Sequence, residues 1–156
     1  METVFIQTPL GIAKIEGDEN GISIISVNQE GDLSSEIPKN LKNSVTQLNE
    51  YFEGKREEFT FKLNPKGTEF QQKVWQELLK IPFGKTMSYL DLSKKLGDVK
   101  AIRAVASANG KNPLWIVVPC HRVIGTDGSL TGYAGGLWRK KWLLEHENPT
   151  NQQTLF

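Results

Sequence analysis

The only cysteine of the chain, Cys120, is followed directly by one of its two histidines, His121. A thiol attacks as the thiolate, and a neighbouring imidazole can take up its proton. Successive residues of a strand point to opposite faces, so His121 can serve Cys120 only where the backbone turns, or through a bridging water. The pair indicates nucleophilic thiol chemistry. The alternative is a lone cysteine that packs as a small apolar side chain.

An apolar segment leads into this pair. Residues 114–118 form a short, continuous run rich in β-branched side chains, which predicts a buried strand. Pro119 has no N–H to give to a sheet and has a fixed φ, so we expect it to end the strand and to place Cys120 on a turn.

Size and composition narrow the class of protein. A chain of 156 residues that is 38% hydrophobic can bury one core or two small ones. No apolar run approaches the ~18 residues of a membrane span, and the first residues do not have the pattern of a secretion signal. The sequence therefore predicts a cytoplasmic protein that does not contact membranes. One cysteine and two histidines are too few for a Cys/His zinc site, so no metal is expected.

The net charge of +1 hides an uneven distribution. Residues 1–64 contain 6 basic and 11 acidic side chains, whereas residues 65–156 contain 13 basic and 7 acidic ones. The basic half is the one that contains Cys120. This asymmetry favours contact between the second half and a polyanion, although a mildly basic domain can also be just a soluble one.

The first half reads as a small domain of strands and one helix. Alternating apolar residues predict strands at 4–6, 11–16 and 21–27, and helical spacing predicts a helix at 41–52. A further strand is predicted at 59–63. The turn residues that follow, together with the change of charge sign, place the domain boundary after residue 64.

The second half reads as short helices. Thr68 and Ser88 are placed to cap the first two, the second ends at Gly97, and a third is predicted at about 99–108. Two short helices joined by a turn form a helix-turn-helix pattern, whose second helix would recognise nucleic acid. The small side chains of that helix also fit the alternative of tight packing against another helix.

The last predicted helix begins at Leu137, after a loop rich in glycine. Glu147 lies three positions after Leu144 and four after Leu143, and therefore on their face. A carboxylate at a helix C-terminus opposes the helix dipole, so a capping role is disfavoured and another role is indicated.

Six separate segments of the chain form an ordered set of motifs. The central one is Val118-Pro119-Cys120-His121-Arg122-Val123, preceded by Asn112-Pro113. The others are Gly67-Thr68-Glu69-Phe70-Gln71 with Val74-Trp75, Ser88-Tyr89, Ile102-Arg103-Ala104-Val105, Gly132-Tyr133-Ala134-Gly135-Gly136-Leu137, and Trp142-Leu143-Leu144-Glu145-His146-Glu147. In this order and register, they give the chain a resemblance to the O6-alkylguanine-DNA alkyltransferases.

The resemblance implies an α+β protein with two domains. Residues 1–64 would form a small α/β, ribonuclease H-like structural domain. Residues 65–156 would form a mainly helical, winged helix-turn-helix-like domain that binds DNA and carries the active site. The implied activity is DNA repair, in which an alkyl group moves irreversibly from O6-alkylguanine, and possibly O4-alkylthymine, to Cys120 in a single turnover. The implied partner is double-stranded DNA with that lesion, the protein would be a monomer, and no cofactor is required.

The resemblance also implies the roles of the catalytic residues. Cys120 would be the nucleophile, His121 its base, and Glu147 the group that orients His121. Tyr89 would donate to the departing guanine, and Asn112 would fix the turn behind the cysteine.

Two further sets of residues would contact DNA and line the pocket. Arg103 would enter the duplex in place of the extruded nucleotide. The other DNA contacts implied are Ala101, Ala104, Lys100, Tyr89 and Arg122. The implied pocket residues are Trp115, Val123, Tyr133, Ala134 and Gly135. Ala134 stands where some members of the family have serine. Trp115 stands where some have a smaller residue, and its large ring, at the border of the pocket, would restrict bulky alkyl groups.

Three other functions fit parts of the pattern. A lesion-binding protein of the alkyltransferase-like type would flip the damaged base without reacting, but such proteins lack the cysteine. A thiol hydrolase would use Cys120 and His121 with turnover. A transcription factor would use the helix-turn-helix alone and would need a specific operator.

Overall fold

The structure is a computed structural model, and it describes residues 1–130, 133 and 136–149. The described chain divides into two compact units. The first contains Met1–Lys66 and Pro113–Trp115, and the second contains Gly67–Asn112 and the chain from Ile116 onward. The three residues Pro113–Trp115, which lie shortly before Cys120 in sequence, thus belong to the first unit.

The first unit is built on an antiparallel sheet of three strands in the order β1-β2-β3. The strands are β1 (Glu2–Thr8), β2 (Gly11–Asp18) and β3 (Gly21–Asn28). Their alternation buries one side-chain set, with Val4 and Ile15 fully buried and directly paired across β1 and β2. The three strands predicted from period-two alternation are confirmed.

The helix predicted in this unit is also present, as α1 (Lys42–Phe52). The strand predicted at 59–63 is wrong. Only Leu63 forms a bridge, to Ile22, while Phe59 packs against the ring of Tyr51 at 5.6 Å. The aromatic residues that suggested a strand are used in packing, so the segment makes one bridge and no ladder.

The second unit contains three helices before Cys120, namely α2 (Glu69–Leu78), α3 (Tyr89–Lys95) and α4 (Ile102–Gly110). The last two correspond to the predicted helix-turn-helix. Thr68 caps α2 through a reciprocal capping box, and Ser88 caps α3 by accepting a hydrogen bond from the N–H of Asp91 at 3.0 Å. Gly97, with φ +88°, provides the left-handed residue that lets the chain turn from α3 towards α4.

Two short strands and a final helix complete this unit. Strand β4 (Met87–Ser88) pairs in parallel with β5 (Val123–Ile124), and α5 (Leu137–Glu147) follows the loop after β5. Among the described residues, no helix is long and apolar enough to cross a membrane.

The strand predicted at residues 114–118 is wrong, although the segment is buried as expected. Leu114 makes a single bridge to Ile25, and the chain then turns with Ile116 at φ +72°. A continuous apolar run reports burial rather than backbone conformation. Here the buried segment forms a turn, so Cys120 begins a new element of secondary structure and does not continue a strand.

Gly67 is required by the close approach of Trp75. A Cβ on Gly67 would lie 2.7 Å from Cζ3 of that ring. The ring cannot easily move, because its Nε1 donates a hydrogen bond of 2.9 Å to the carbonyl oxygen of Ala108. We expect Gly67→Ala to lower the free energy of unfolding by about 1–3 kcal/mol, measured by urea denaturation. Gly110→Ala is the control, because its Cβ would meet nothing within 4 Å, and an equal loss there would contradict this explanation.

Candidate active site

The backbone turns sharply at Pro119 and places Cys120 and His121 on one short helix. Pro119 has φ −81° and ψ 63°, the conformation of an inverse γ-turn, and the N–H of Cys120 donates to the carbonyl oxygen of Val118 at 2.8 Å. A single turn of 3₁₀-helix then spans Cys120–Arg122. The turn that His121 needs in order to serve Cys120 is therefore present.

Asn112 holds this turn from behind. Its side-chain Nδ2 donates a hydrogen bond of 2.6 Å to the carbonyl oxygen of Val118. Its side chain also forms a hydrogen bond with the Cys120 thiol. One amide thus contacts both the turn and the sulfur that the turn presents.

His121, the histidine next to Cys120, is joined to the carboxylate at the end of α5. Nε2 of His121 lies 2.7 Å from Oε2 of Glu147, and the two side chains are 0% and 1% exposed. Arg122 binds the same carboxylate, with Nε 2.7 Å from Oε1 and a terminal nitrogen 3.0 Å from Oε2. Its other terminal nitrogen donates to the carbonyl oxygen of Ile81 at 2.7 Å. Glu147 is therefore fixed by two partners from the 3₁₀ turn.

The charges of this network determine the tautomer of His121. Burial alone would raise the pKa of the Glu147 carboxyl, but contact with His121 and Arg122 outweighs this effect and holds the pKa below its usual range. An ionised carboxylate only accepts hydrogen bonds, so Nε2 of His121 must carry the proton and donate it. Nδ1 is then the basic nitrogen. It makes no hydrogen bond within the described part of the chain.

Cys120 and His121 are both neutral at rest. Burial raises the pKa of the Cys120 thiol above 9.0, although the Asn112 hydrogen bond and the charge of Lys140 oppose this shift. Burial also lowers the pKa of His121 below 6.5, with Glu147 opposing. At neutral pH the site therefore holds a thiol and an unprotonated imidazole, as general-base activation of a nucleophile requires.

Comparison with known proteins identifies relatives over the whole described chain. The family model described as "6-O-methylguanine DNA methyltransferase, ribonuclease-like domain" matches residues 2–65, and the one described as "6-O-methylguanine DNA methyltransferase, DNA binding domain" matches residues 69–149. A probable methylated-DNA–protein-cysteine methyltransferase of Acanthamoeba polyphaga mimivirus is 44% identical over 97% of this chain and 100% of its own length. The chain belongs to the 6-O-methylguanine DNA methyltransferase family.

Solved structures agree with this assignment. The O6-methylguanine methyltransferase of Mycobacterium tuberculosis superimposes with a TM-score of 0.85 at 40% identity, covering 95% of this chain and 93% of that one. A structure described as Mycobacterium tuberculosis OGT in complex with DNA gives a TM-score of 0.85 at 42% identity, covering 97% of each chain. The predicted fold, a small sheet domain followed by a helical domain of the methyltransferase family, is confirmed.

Arg122, which the family resemblance placed among the DNA contacts, has a different position. Its side chain is 7% exposed, and its guanidinium is bonded to Glu147 and to the carbonyl of Ile81. Its Cζ atom also lies over the ring of Phe83, 5.8 Å from the ring centroid. Each of its three nitrogens thus has a partner within the protein, which indicates a structural role for Arg122 in holding Glu147. Its contact with DNA stays a prediction.

Lys140 on α5 is a site residue that the sequence analysis missed. It is 0% exposed, its Nζ lies 5.8 Å from the ring centroid of Tyr89, and its charge acts on Cys120. Lys140 lies three and four residues before Leu143 and Leu144, on the face that also carries Glu147. That spacing was the available signal.

The predicted pocket residues fall in different parts of the protein. Val123 is 0% exposed in β5, and Tyr133 is half-buried. Trp115 belongs to the first unit, where its ring lies 6.1 Å from that of Phe52. Ala134 and Gly135 lie outside the described residues. The pocket roles of these five residues stay predictions.

The predicted DNA-reading helix and the turn before it expose two cations and a small side chain. Lys100, Arg103 and Ala104 are exposed, and Ala101 is half-buried. Asp98 caps the 3₁₀ turn that precedes α4 by accepting a hydrogen bond of 2.9 Å from the N–H of Lys100. Small side chains next to two exposed cations are compatible with close approach to a phosphate backbone.

Metal ligation finds no support in the described part of the chain, where no group of three His, Cys, Asp or Glu side chains could hold an ion.

Proposed function

We propose that this protein repairs alkylated double-stranded DNA by moving an alkyl group from O6 of guanine to the sulfur of Cys120. The observation that carries the proposal is the buried chain of contacts from the turn at Cys120 through His121 to Glu147. Membership of the methyltransferase family supports it, as does the likeness to a relative described in complex with DNA.

Activation of the thiol would begin at His121. Because Nε2 donates to Glu147, Nδ1 is the nitrogen that accepts the proton of Cys120 through one bridging water. Ionised Glu147 stabilises the imidazolium that forms, and Arg122 keeps Glu147 ionised and oriented. Cys120, His121 and Glu147 thus act as nucleophile, base and stabilising carboxylate, respectively.

Transfer of the alkyl group then forms one bond and breaks another. A lone pair of the Cys120 sulfur forms the S–C bond, and the electron pair of the broken C–O bond goes to the guanine. Tyr89 offsets the charge that develops on the base by donating its phenolic proton or hydrogen bond. Overall, the thiol proton is transferred to the guanine. The product is a thioether, so each molecule reacts once, and no cofactor takes part.

Access to the alkyl carbon requires the nucleotide to leave the duplex, at a cost of roughly a few kcal/mol of stacking. The exposed side chain of Arg103 on α4 would fill the gap, and Lys100 would contact phosphate. Ala101 and Ala104 would let the helix approach the groove closely. Asn112, which already contacts the sulfur, would face the extruded base.

We further propose separate roles for the two domains, an oligomeric state and a cellular location. Residues 65–156 would bind DNA and carry the reaction, and residues 1–64 would act as a structural domain. The protein would work as a monomer in the cytoplasm, without contact to membranes. The substrate would be O6-alkylguanine, with O4-alkylthymine as a further candidate.

The test is to mix the protein with a duplex that carries one O6-methylguanine and to measure its intact mass. We expect the mass of one methyl group to be added to Cys120 once per molecule, and no addition in Cys120→Ala. Binding without a mass change would instead support a lesion-binding protein. Repeated turnover on esters or peptides would support a thiol hydrolase.

A further inference from the structure

A tight turn after α2 contacts the C-terminus of α5. The turn spans residues 82–85 and is closed by a hydrogen bond of 3.1 Å from the N–H of Lys85 to the carbonyl oxygen of Pro82. Its third residue, Gly84, has φ +80°, which is typical of a type II turn. The carbonyl oxygen of Gly84 accepts a hydrogen bond of 2.9 Å from Nδ2 of Asn148, the residue that caps α5.

The same turn also lies against Glu147. The carbonyl oxygen of Ile81, just before the turn, accepts a hydrogen bond of 2.7 Å from Arg122, which in turn binds both carboxylate oxygens of Glu147. A Cβ on Gly84 would lie 3.2 Å from the backbone oxygen of Glu147. The turn region therefore holds Glu147 in two ways: its carboxylate through Arg122, and its backbone through the adjacent Asn148.

The backbone position of Glu147 matters because its carboxylate has to meet Nε2 of His121 at 2.7 Å. Glu147 is the last residue of α5, and helix ends fray. The N–H of Asn148 extends the helix by one hydrogen bond of 3.0 Å to the carbonyl oxygen of Leu144. Its side chain adds a bond to Gly84, which is 64 positions away in sequence. That bond fixes the end of the helix to a part of the chain that does not fray with it.

We propose that Asn148 is a positioning residue, whose hydrogen bond to Gly84 holds the end of α5 so that the carboxylate of Glu147 stays on His121. The inference rests on the proposed alkyl transfer for its effect on the rate. Its effect on the imidazole concerns the resting protein and needs no substrate.

Two variants form a matched pair. Asn148→Ala and Asn40→Ala each remove one side-chain amide that donates a hydrogen bond from Nδ2, at 2.9 Å to Gly84 and at 2.8 Å to Oε1 of Glu2. Asn40 belongs to the first unit, and its bond is exposed. The same chemical change is thus made next to Glu147 and far from it in sequence.

The readout is the tautomer of His121, followed by nitrogen-15 NMR at neutral pH without DNA. The ring nitrogen that carries the proton and the one that does not have different chemical shifts. The other histidine of the chain is His146, and the variant His146→Gln identifies its signals. The charged groups that act on His121 are Glu147, Arg122 and Lys140, and both alanine variants retain all three. A change at the imidazole therefore reports their geometry.

In the wild type and in Asn40→Ala, we expect the proton to stay on Nε2 of His121. In Asn148→Ala, the signals of Nδ1 and Nε2 should move towards each other, because a displaced carboxylate lets part of the population carry the proton on Nδ1. Methyl transfer from the O6-methylguanine duplex should slow by about tenfold, less than the roughly 10²-fold that a misplacement of about 1 Å can cost. The melting temperature should fall by only about 2–4 °C, since one hydrogen bond is lost.

The inference is overturned if the His121 signals of Asn148→Ala coincide with those of the wild type, whatever its rate or melting temperature. A merely structural asparagine would lower the melting temperature and leave the tautomer in place. Should Asn148→Ala not fold, Asn148→Ser, which keeps a polar group but has a shorter side chain, decides the same question. If wild-type protein itself takes up no methyl group, the proposed function fails while the tautomer comparison still decides the role of Asn148.

Discussion

Replacing Arg122 with methionine should lower the free energy of unfolding by about 3–5 kcal/mol, the largest stability effect we expect from a single substitution in this protein. The substitution removes the cation that binds both oxygens of Glu147 at 2.7 and 3.0 Å. It also leaves the carbonyl of Ile81 without its donor. A buried carboxylate would then lack its guanidinium partner, which is far more costly than the loss of a surface ion pair. Urea denaturation of both proteins at neutral pH measures the difference.

Arg103→Met is the control for this experiment. Both arginines were predicted to contact DNA, but Arg103 is exposed on α4 whereas Arg122 is buried beside Glu147. We expect Arg103→Met to change stability by no more than about 0.5 kcal/mol while weakening the binding of duplex DNA. Equal losses of stability in the two variants would show that the buried network does not have the importance that its geometry indicates.

The pH dependence of the Arg122→Met effect has a definite sign. The pKa of Glu147 in the folded protein is depressed below its ordinary value of 4.5. A depressed carboxyl pKa contributes stability that is fully present above the unfolded value and is lost as the pH falls towards the folded one. Loss of Arg122 raises the folded pKa and removes part of this contribution. The stability difference between wild type and Arg122→Met should therefore narrow as the pH is lowered below about 4.5.

Local signals in the sequence were sufficient for most of the elements that carry the site. Thr68 and Ser88 satisfy the free N–H groups at the starts of α2 and α3, and this requirement does not depend on the rest of the fold. The alternation in residues 2–28 likewise identified the strands of the sheet, because one face of each strand must be apolar. Glu147 was placed on the face of Leu143 and Leu144 by helical spacing alone.

The elements that the sequence did not reveal depend on tertiary contacts. The run before Cys120 was correctly expected to be buried, yet Ile116 adopts φ +72°, which a β-branched residue does not choose by itself. Arg122 and Lys140 are charged, and charge by itself predicts exposure. Only the partners of Arg122, namely Glu147 and the Ile81 carbonyl, make its burial acceptable, and they come from distant parts of the chain.

The second large effect is expected on the reaction itself, in Glu147→Gln. The amide has nearly the shape of the carboxylate but no charge. It can present an NH₂ group to Nε2 of His121, which would stabilise the tautomer with the proton on Nδ1, so that Nδ1 could no longer act as the base. The uncharged amide would also no longer stabilise the imidazolium. We expect the single-turnover rate of methyl transfer to fall by about 10²–10⁴-fold at pH 7. The measurement is the rate of mass gain on Cys120 with duplex DNA in excess, with circular dichroism confirming that the variant is folded.

Glu145→Gln is the matched control, because Glu145 lies on the same helix turn with a side chain that is 31% exposed and that pairs with Lys141 at the long distance of 4.0 Å. Its rate should equal that of the wild type.

The pH profile separates a catalytic role for Glu147 from a general loss of structure. The pKa of His121 lies below 6.5, so the wild-type rate should be flat around neutral pH and should fall on acidification below that value. Without Glu147, base assistance is lost and the residual rate depends on direct ionisation of Cys120, whose pKa lies above 9.0. The deficit of Glu147→Gln should therefore shrink steadily as the pH rises from 7 towards 9, whereas a deficit that stays constant over that range would mean that Glu147 supports the fold and not the proton transfer.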